Sequence, residues 1–155
     1  MSYSINDLNR IALKAAFHGN REIVNDMIKN GVTNYNGLLY NAALNNHKDI
    51  VIDLINAGAN DYNEIARYAA KHGYMDLLNY ALSKGITDYN NLINLGAQHG
   101  QLDVVKALIN KPNINYTRLY RTVIKGKNKE INNFVLEYYK EHNIITLRNL
   151  LLNIR

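Results

Sequence analysis

Three of the five histidines occupy positions that resemble a metal-binding series. His18, His72 and His99 are separated by multiples of 27 residues, and imidazole nitrogens are common zinc ligands. Zinc requires its donor atoms within ~2.1 Å of one point. Equivalent side chains on neighbouring packed helices lie ~8–10 Å apart, so this series does not converge on one ion. We expect these histidines at helix C-termini, beside the last carbonyl groups, and we expect no metal.

A second series places one acidic side chain in each segment of 27 residues. Its members are Glu22, Asp49, Asp76, Asp103 and Glu130. Carboxylates can act as general acids and bases, but an acid in the first turn of a helix also interacts favourably with the helix dipole. The sequence contains no Gly-rich phosphate loop, no Gly-x-Ser-x-Gly elbow and no HExxH motif. We therefore predict a protein that is not an enzyme, with no catalytic residues and no cofactor.

The composition limits the class of protein. The chain has 155 residues, of which 47% are hydrophobic and 20% are charged, as is ordinary for a soluble domain. Cysteine is absent, which excludes a disulfide framework, a thiolate metal site and a cysteine nucleophile. The polar first ten residues do not resemble a signal peptide, and no segment approaches the ~20 apolar residues of a membrane span. We expect a soluble, cytoplasmic protein with no membrane association.

An internal repeat of 27 residues determines which elements carry these side chains. Tyr35, Tyr62, Tyr89 and Tyr116 recur at this interval, and each follows an Asn or Asp. Five gap-free repeats result, and position 1 is the first residue of each: 8–34, 35–61, 62–88, 89–115 and 116–142. We expect a single domain over 1–155, in which residues 143–155 form a capping helix.

Each repeat has the pattern of two helices joined by a sharp turn. Positions 4, 8 and 9 are apolar or small, and this spacing defines one helix face that a second helix can approach closely. Positions 16, 17, 20 and 21 give the second helix its apolar face. Position 12 is Gly or Asn in four repeats, and both residues tolerate the positive φ of a sharp turn.

The ends of these helices also have sequence signals. Three glycines, Gly31, Gly58 and Gly85, are expected to close second helices. The following first helices are expected to be capped at their N-termini by Asn36, Asn63, Asn90 and Thr117.

Residues 69–78 and 97–106 resemble the second half of an ankyrin repeat, and the resemblance recurs in register over residues 8–142. It implies an all-α, ankyrin-like solenoid of stacked helix-turn-helix repeats that binds other proteins. The usual Thr-Pro-Leu-His opening is missing and the repeat is shorter than the ordinary ~33 residues, so we expect short loops and little or no β-hairpin. The pattern is also similar to short Asn-rich repeats of large DNA viruses of amoebae and of intracellular parasites. That similarity implies a host-interaction protein, in the host cytoplasm if it is viral.

The outer face of the first helices is the candidate binding surface. Positions 3, 6, 7 and 10 vary between repeats while the core positions do not, as expected for a common scaffold with its own binding face. We predict that a protein partner contacts Phe17, Tyr40, Asn41, Leu44, Arg67, Tyr68, Lys71, Asn94, Leu95, Gln98, Arg121 and Lys125. The alternative is that these side chains pack between neighbouring repeats.

Two other features each allow two interpretations. The recurring tyrosines could form an aromatic strip for a peptide or single-stranded nucleic acid, but we favour mutual packing that replaces the missing hairpin. The net charge of +5 lies entirely in residues 116–155, since the charges of residues 1–115 cancel. This basic end could bind an acidic protein or nucleic acid, or it could be a solvated capping repeat.

Two further functions stand as alternatives to the protein-binding scaffold. One is nucleic-acid binding through the basic C-terminal repeats. The other is structural self-assembly through residues 146–155, and we expect a monomer or a weak homo-oligomer.

Overall fold

The computed structural model describes residues 4–144 and shows an all-helical chain, as predicted. No strand occurs within this range, so the loops between repeats contain no β-hairpin there. The capping helix predicted for 143–155 falls outside the described residues except for its first two positions. The helices are α1 (Ile5–His18), α2 (Arg21–Lys29), α3 (Tyr35–Leu44), α4 (Lys48–Ala57), α5 (Tyr62–His72), α6 (Met75–Ser83), α7 (Tyr89–Gln98), α8 (Leu102–Leu108), α9 (Tyr116–Gly126) and α10 (Lys129–Glu141).

Each repeat of the sequence forms one helix pair. The odd-numbered helices are the first helices of the repeats and the even-numbered helices are the second. Contacts divide the chain into two compact units, Met1–Tyr68 and Ala69–Arg155. In the first unit α1 packs on α3 and α2 on α4; in the second α7 packs on α9 and α8 on α10. Within each unit, first helices thus pack on first helices and second on second, which is compatible with a helical repeat solenoid.

Most positions that the repeat indicated form the core, together with one more row; Ile23 and Ile124 are exceptions and are 39% and 37% exposed. Position 8 is buried in every repeat, and its small residues bring helices close together: a Cβ on Gly96 would lie 2.6 Å from Val104 Cγ1. Position 5 is also fully buried in four repeats, which the repeat pattern did not predict. First helices contact neighbours on more than one side, so their buried arc is wider than a single stripe. The members of the additional row are Ala12, Leu39, Ala66 and Ile93.

The sharp turn predicted at position 12 is present in all five repeats. Gly19 and Asn46 have φ values of 75° and 61°, and the later repeats continue the series. In the fifth repeat Lys127 adopts the same left-handed conformation with φ 55°, although its side chain makes this conformation less favourable. The acidic series lies in the first turns of the second helices, as expected.

The predicted N-caps are wrong by two residues. The first helices begin at the recurring tyrosine, so the capping side chain belongs to the residue before it. Asn34 Oδ1 accepts a hydrogen bond from the Gly37 N–H at 3.1 Å, which caps α3. The other first helices after α1 are capped in the same way, by Asp61, Asp88 and Asn115.

The last second helix differs from the others. Where three repeats have a closing glycine, the fifth has Tyr139, and α10 continues to Glu141. Tyr139 is only 1% exposed, and its hydroxyl donates a hydrogen bond of 2.7 Å to the Tyr116 carbonyl. No described helix is long and apolar enough to cross a membrane.

Candidate binding surface

Three asparagines at position 2 link a first helix to the loop that leaves its repeat. Asn36 Oδ1 accepts hydrogen bonds from the backbone N–H groups of Asn60 and Asp61, at 2.9 and 3.2 Å. Asn9 and Asn90 make equivalent bonds to the loops that leave their own repeats. Each of these loops leads into the next first helix, so an amide side chain connects two consecutive repeats. We call Asn9, Asn36 and Asn90 the loop asparagines.

Side chains at position 13 fix the opposite end of the first helices. His47 Nε2 lies 3.1 Å from the carbonyl oxygen of Phe17, in the preceding repeat. Gln101 Nε2 donates to the Lys71 carbonyl at 3.2 Å, which is the equivalent contact in the second unit. These contacts satisfy carbonyl groups that would otherwise lack a partner at a helix C-terminus. They also position the backbone of two predicted surface residues.

In the first unit, the predicted surface is partly apolar and partly buried. Tyr40 and Leu44 are each 52% exposed and Phe17 is 44% exposed. They lie on α3 and α1, which pack on each other, and we call these three exposed side chains the apolar patch. Tyr68 does not have the expected exposure. It is only 3% exposed, and its hydroxyl donates to Asn46 Oδ1 at 3.1 Å. A buried tyrosine whose hydroxyl is bonded inside the fold cannot contact a partner.

The remaining predicted residues of this unit differ in exposure. Asn41 is half-buried, and its amide donates to the Gly37 carbonyl at 2.9 Å. Arg67 is exposed and lies 3.9 Å from Glu64. Only the Arg67 side chain extends into solvent, so Asn41 contributes to the helix more than to the surface.

In the second unit, Asn94 is also buried, contrary to the prediction. Its side chain is 2% exposed, donates to the Asn90 carbonyl at 2.6 Å, and accepts a hydrogen bond from the Thr122 hydroxyl. Asn94 therefore joins α7 to α9 beneath the surface. Lys71 and Leu95 are half-buried.

An open groove lies above this buried asparagine, between α7 and α9. Its volume is about 390 Å³, and we call it the basic groove. Three of the predicted residues, Gln98, Arg121 and Lys125, lie along it. Arg118 was not among the predicted partner contacts, although the charge excess of the last repeat pointed to it. Among residues 4–144, the groove is lined by Gln98, Arg118, Arg121, Thr122, Lys125 and Gly126.

The three recurring histidines lie at the C-terminal ends of first helices, as expected. His18 and His72 are the last residues of α1 and α5, and His99 follows α7. Burial lowers the pKa of His72, and the positive charge of Lys71 lowers it further, so the ring is neutral near pH 7. Within residues 4–144, no three His, Asp or Glu side chains are grouped to hold a metal ion.

The recurring tyrosines are half-buried at the starts of the first helices. The Tyr116 ring lies 5.6 Å from the Tyr139 ring and 6.4 Å from the Tyr138 ring, between centroids. Lys111 Nζ lies 5.8 Å from the centroid of the Tyr89 ring. These contacts favour packing over an open aromatic strip, but each is with a residue of the same repeat and none joins two recurring tyrosines.

A scan against protein-family models finds no matching family, and a search of curated proteins finds no match. The resemblance to ankyrin repeats therefore rests on the residues of this chain alone.

Proposed function

We propose that the protein is a non-enzymatic scaffold of ankyrin-like repeats that binds another protein through the exposed face of its first helices. One observation carries the proposal. Position 8 is small or apolar and buried in every repeat, whereas positions 6 and 10 carry Tyr40 and Leu44 in one repeat and Arg121 and Lys125 in another. A uniform core beneath a variable exposed surface is what a recognition scaffold requires.

The apolar patch of Phe17, Tyr40 and Leu44 is one part of this proposed surface. Large apolar side chains on a solvated helix face are costly to leave exposed and are enriched at binding interfaces. Tyr40 and Leu44 are one helical turn apart on α3, so they present one continuous surface to a partner. The similarity to Asn-rich viral and parasite repeats makes a host protein in the cytoplasm the partner we favour.

The surrounding contacts favour a surface that is formed before the partner arrives. His47 fixes the C-terminal end of α1, Asn9 fixes the loop before α3, and Asn36, on α3 itself, fixes the loop between α4 and α5. A preformed surface loses little conformational entropy on binding, which increases affinity.

Capture from a eukaryotic cell lysate, followed by mass spectrometry, tests the proposal. Wild type is compared with Tyr40→Ala/Leu44→Ala and with Ile52→Ala, an exposed apolar residue on α4. We expect a protein that is enriched by wild type and by Ile52→Ala but not by the double variant, with or without nuclease. Circular dichroism shows whether all three retain the same helicity. If the double variant keeps the partner, or Ile52→Ala loses it equally, the proposed surface is wrong.

Nucleic-acid binding is the second candidate function, because the whole net charge of +5 lies in residues 116–155. Binding to phosphates releases counterions, so affinity must fall steeply as salt rises. A gel-shift titration at low and physiological salt tests this candidate, and an affinity that does not change with salt rules it out.

A further inference from the structure

We propose that the basic groove between α7 and α9 binds carboxylate side chains of an acidic segment in the partner protein. The inference rests on the proposed function and names the chemistry of the partner at one of its surfaces. It follows from the charge, the rigidity and the size of the groove.

The cations of the groove share one face of α9. Arg118, Arg121 and Lys125 follow the spacing i, i+3 and i+7, which places their side chains in one row along the helix. Gln98 adds an amide from α7 on the opposite wall. The row can therefore meet an extended segment that lies parallel to the two helices.

Among the described residues, no acidic side chain lines the walls of the groove. Neither α7 nor α9 contains an Asp or Glu. A cleft lined by charges of one sign raises the local concentration of oppositely charged ligands. The ligand that complements this groove is an anion.

The floor of the groove is fixed before any ligand binds. The Thr122 hydroxyl on α9 lies within hydrogen-bond distance of buried Asn94 Oδ1 on α7, which ties the two helices together. At one end, the helices approach so closely that a Cβ on Gly126 would lie 3.8 Å from the Ala97 carbonyl oxygen. The cations thus project from a backbone that does not need to rearrange.

The size and lining of the groove favour carboxylates of a peptide over nucleic acid. Arginine guanidinium groups bind carboxylates through two parallel hydrogen bonds, and two arginines line this groove. Single-stranded nucleic acid is usually bound by aromatic side chains that stack on its bases, and none of the described lining residues is aromatic. Duplex binding depends on phosphate contacts over a wide surface, ~6–10 of them for a steep salt dependence, which is more than three cations in one row supply.

Fluorescence polarisation with the full chain tests the inference, and the probe is a fluorescein-labelled oligoglutamate peptide. Wild type is compared with Arg118→Gln/Lys125→Gln, which removes two cations of the groove. The matched control is Lys14→Gln/Lys29→Gln, which lowers the net charge equally at exposed positions of the first unit. We expect binding about tenfold weaker for the groove variant and little changed for the control.

Three outcomes would overturn the inference: no binding of oligoglutamate by wild type, equal loss in both variants, or tighter binding of a single-stranded oligonucleotide of the same charge. Lysate capture separates this inference from the proposed function. A partner lost on Tyr40→Ala/Leu44→Ala but retained by Arg118→Gln/Lys125→Gln contradicts the groove and leaves the scaffold in place. Oligoglutamate binding without any captured partner supports the groove and contradicts the protein-binding scaffold.

Discussion

Gly19 shows how a single residue in the turn meets two requirements at once. Its φ of 75° is a conformation that residues with a Cβ rarely adopt. A Cβ at this position would also lie 2.5 Å from Cε1 of His47, the side chain that caps α1. Gly31 shares the first requirement, with φ 90°, but a Cβ there would meet no neighbouring atom within 4 Å. Comparing substitutions at the two glycines therefore separates the cost of backbone strain from the cost of crowding by His47.

Replacing Gly19 by alanine should destabilise the protein more than replacing Gly31. We expect about 1–2 kcal/mol for Gly31→Ala, from the left-handed backbone alone. Gly19→Ala should lose about 1 kcal/mol more, because His47 must move and its contact with the Phe17 carbonyl is weakened. Urea unfolding followed by circular dichroism measures both values, and equal losses would contradict the role given to His47.

Tyr139 gives the protein a dependence on alkaline pH. Burial raises the pKa of Tyr139 above its usual value of 10.0. The unfolded chain ionises this phenol near pH 10 while the folded protein keeps it neutral. Its contribution to stability is therefore complete below pH 10 and is lost as pH rises towards the folded pKa.

Tyr139→Phe should lower the free energy of unfolding by about 1 kcal/mol at neutral pH, because the hydrogen bond to the Tyr116 carbonyl is lost. Above pH 10 the difference from wild type should shrink, since phenylalanine does not ionise. Urea titrations at neutral and alkaline pH measure this difference. Tyr40→Phe, at an exposed position, is the control and should differ little from wild type at either pH. A difference that is constant with pH would contradict the argument.

At the scale of elements, the loop asparagines join each of three first helices to the loop that leaves its repeat. Asn36→Ala leaves the N–H groups of Asn60 and Asp61 without their side-chain acceptor, so we expect a loss of about 1 kcal/mol. Asn56→Ala, at an exposed position of α4, is the matched control and should change stability little. Urea unfolding of the two variants decides the matter, and equal effects would mean that the loop bonds do not stabilise the fold.

The helices and turns were predictable because they depend on residue spacing along one chain. The caps were not, since Asn34 and Asn36 are equally good N-cap residues and only the contact of Asn36 with the next loop separates their roles. Position 5 was missed because a period of apolar residues does not reveal how many neighbours a helix has. Alanine occurs both in the core and on the surface, so Ala12 and Ala66 did not indicate a core position, yet both are fully buried.

The exposed part of the candidate surface was predictable from the position of each side chain on its helix. Gln98, Arg121 and Lys125 are exposed, as expected from their positions on the first helices. Tyr68, at position 7, and Asn94, at position 6, were also expected on the outer face, but both are buried and each is hydrogen-bonded to another helix or turn. Such partners depend on tertiary packing, which the spacing of residues does not contain.

At the scale of the whole molecule, we expect the location of the positive charges to affect binding to a charged surface more than the net charge does. Arg118→Gln/Lys125→Gln and Lys14→Gln/Lys29→Gln both lower the net charge from +5 to +3. Because a concentrated patch dominates binding to a charged surface, the first pair should reduce retention on a cation exchanger at pH 7 more than the second. Equal elution of the two variants would show that the charge of the last repeat does not act as a patch.

The loop asparagines should also affect how quickly the backbone amides of the loops exchange their hydrogen with solvent. Backbone amides in loops usually exchange their hydrogen for deuterium quickly, because loops open at little cost in free energy. The N–H groups of Asn34, Asn60 and Asn115 instead donate to a side chain that belongs to a first helix. We expect these amides to exchange mainly when the asparagine, and with it the helix end, moves away from the loop. The amides of each of these loops should therefore exchange together with those of the first helix that holds the loop. The loops, although short, should be among the segments whose amides exchange slowly.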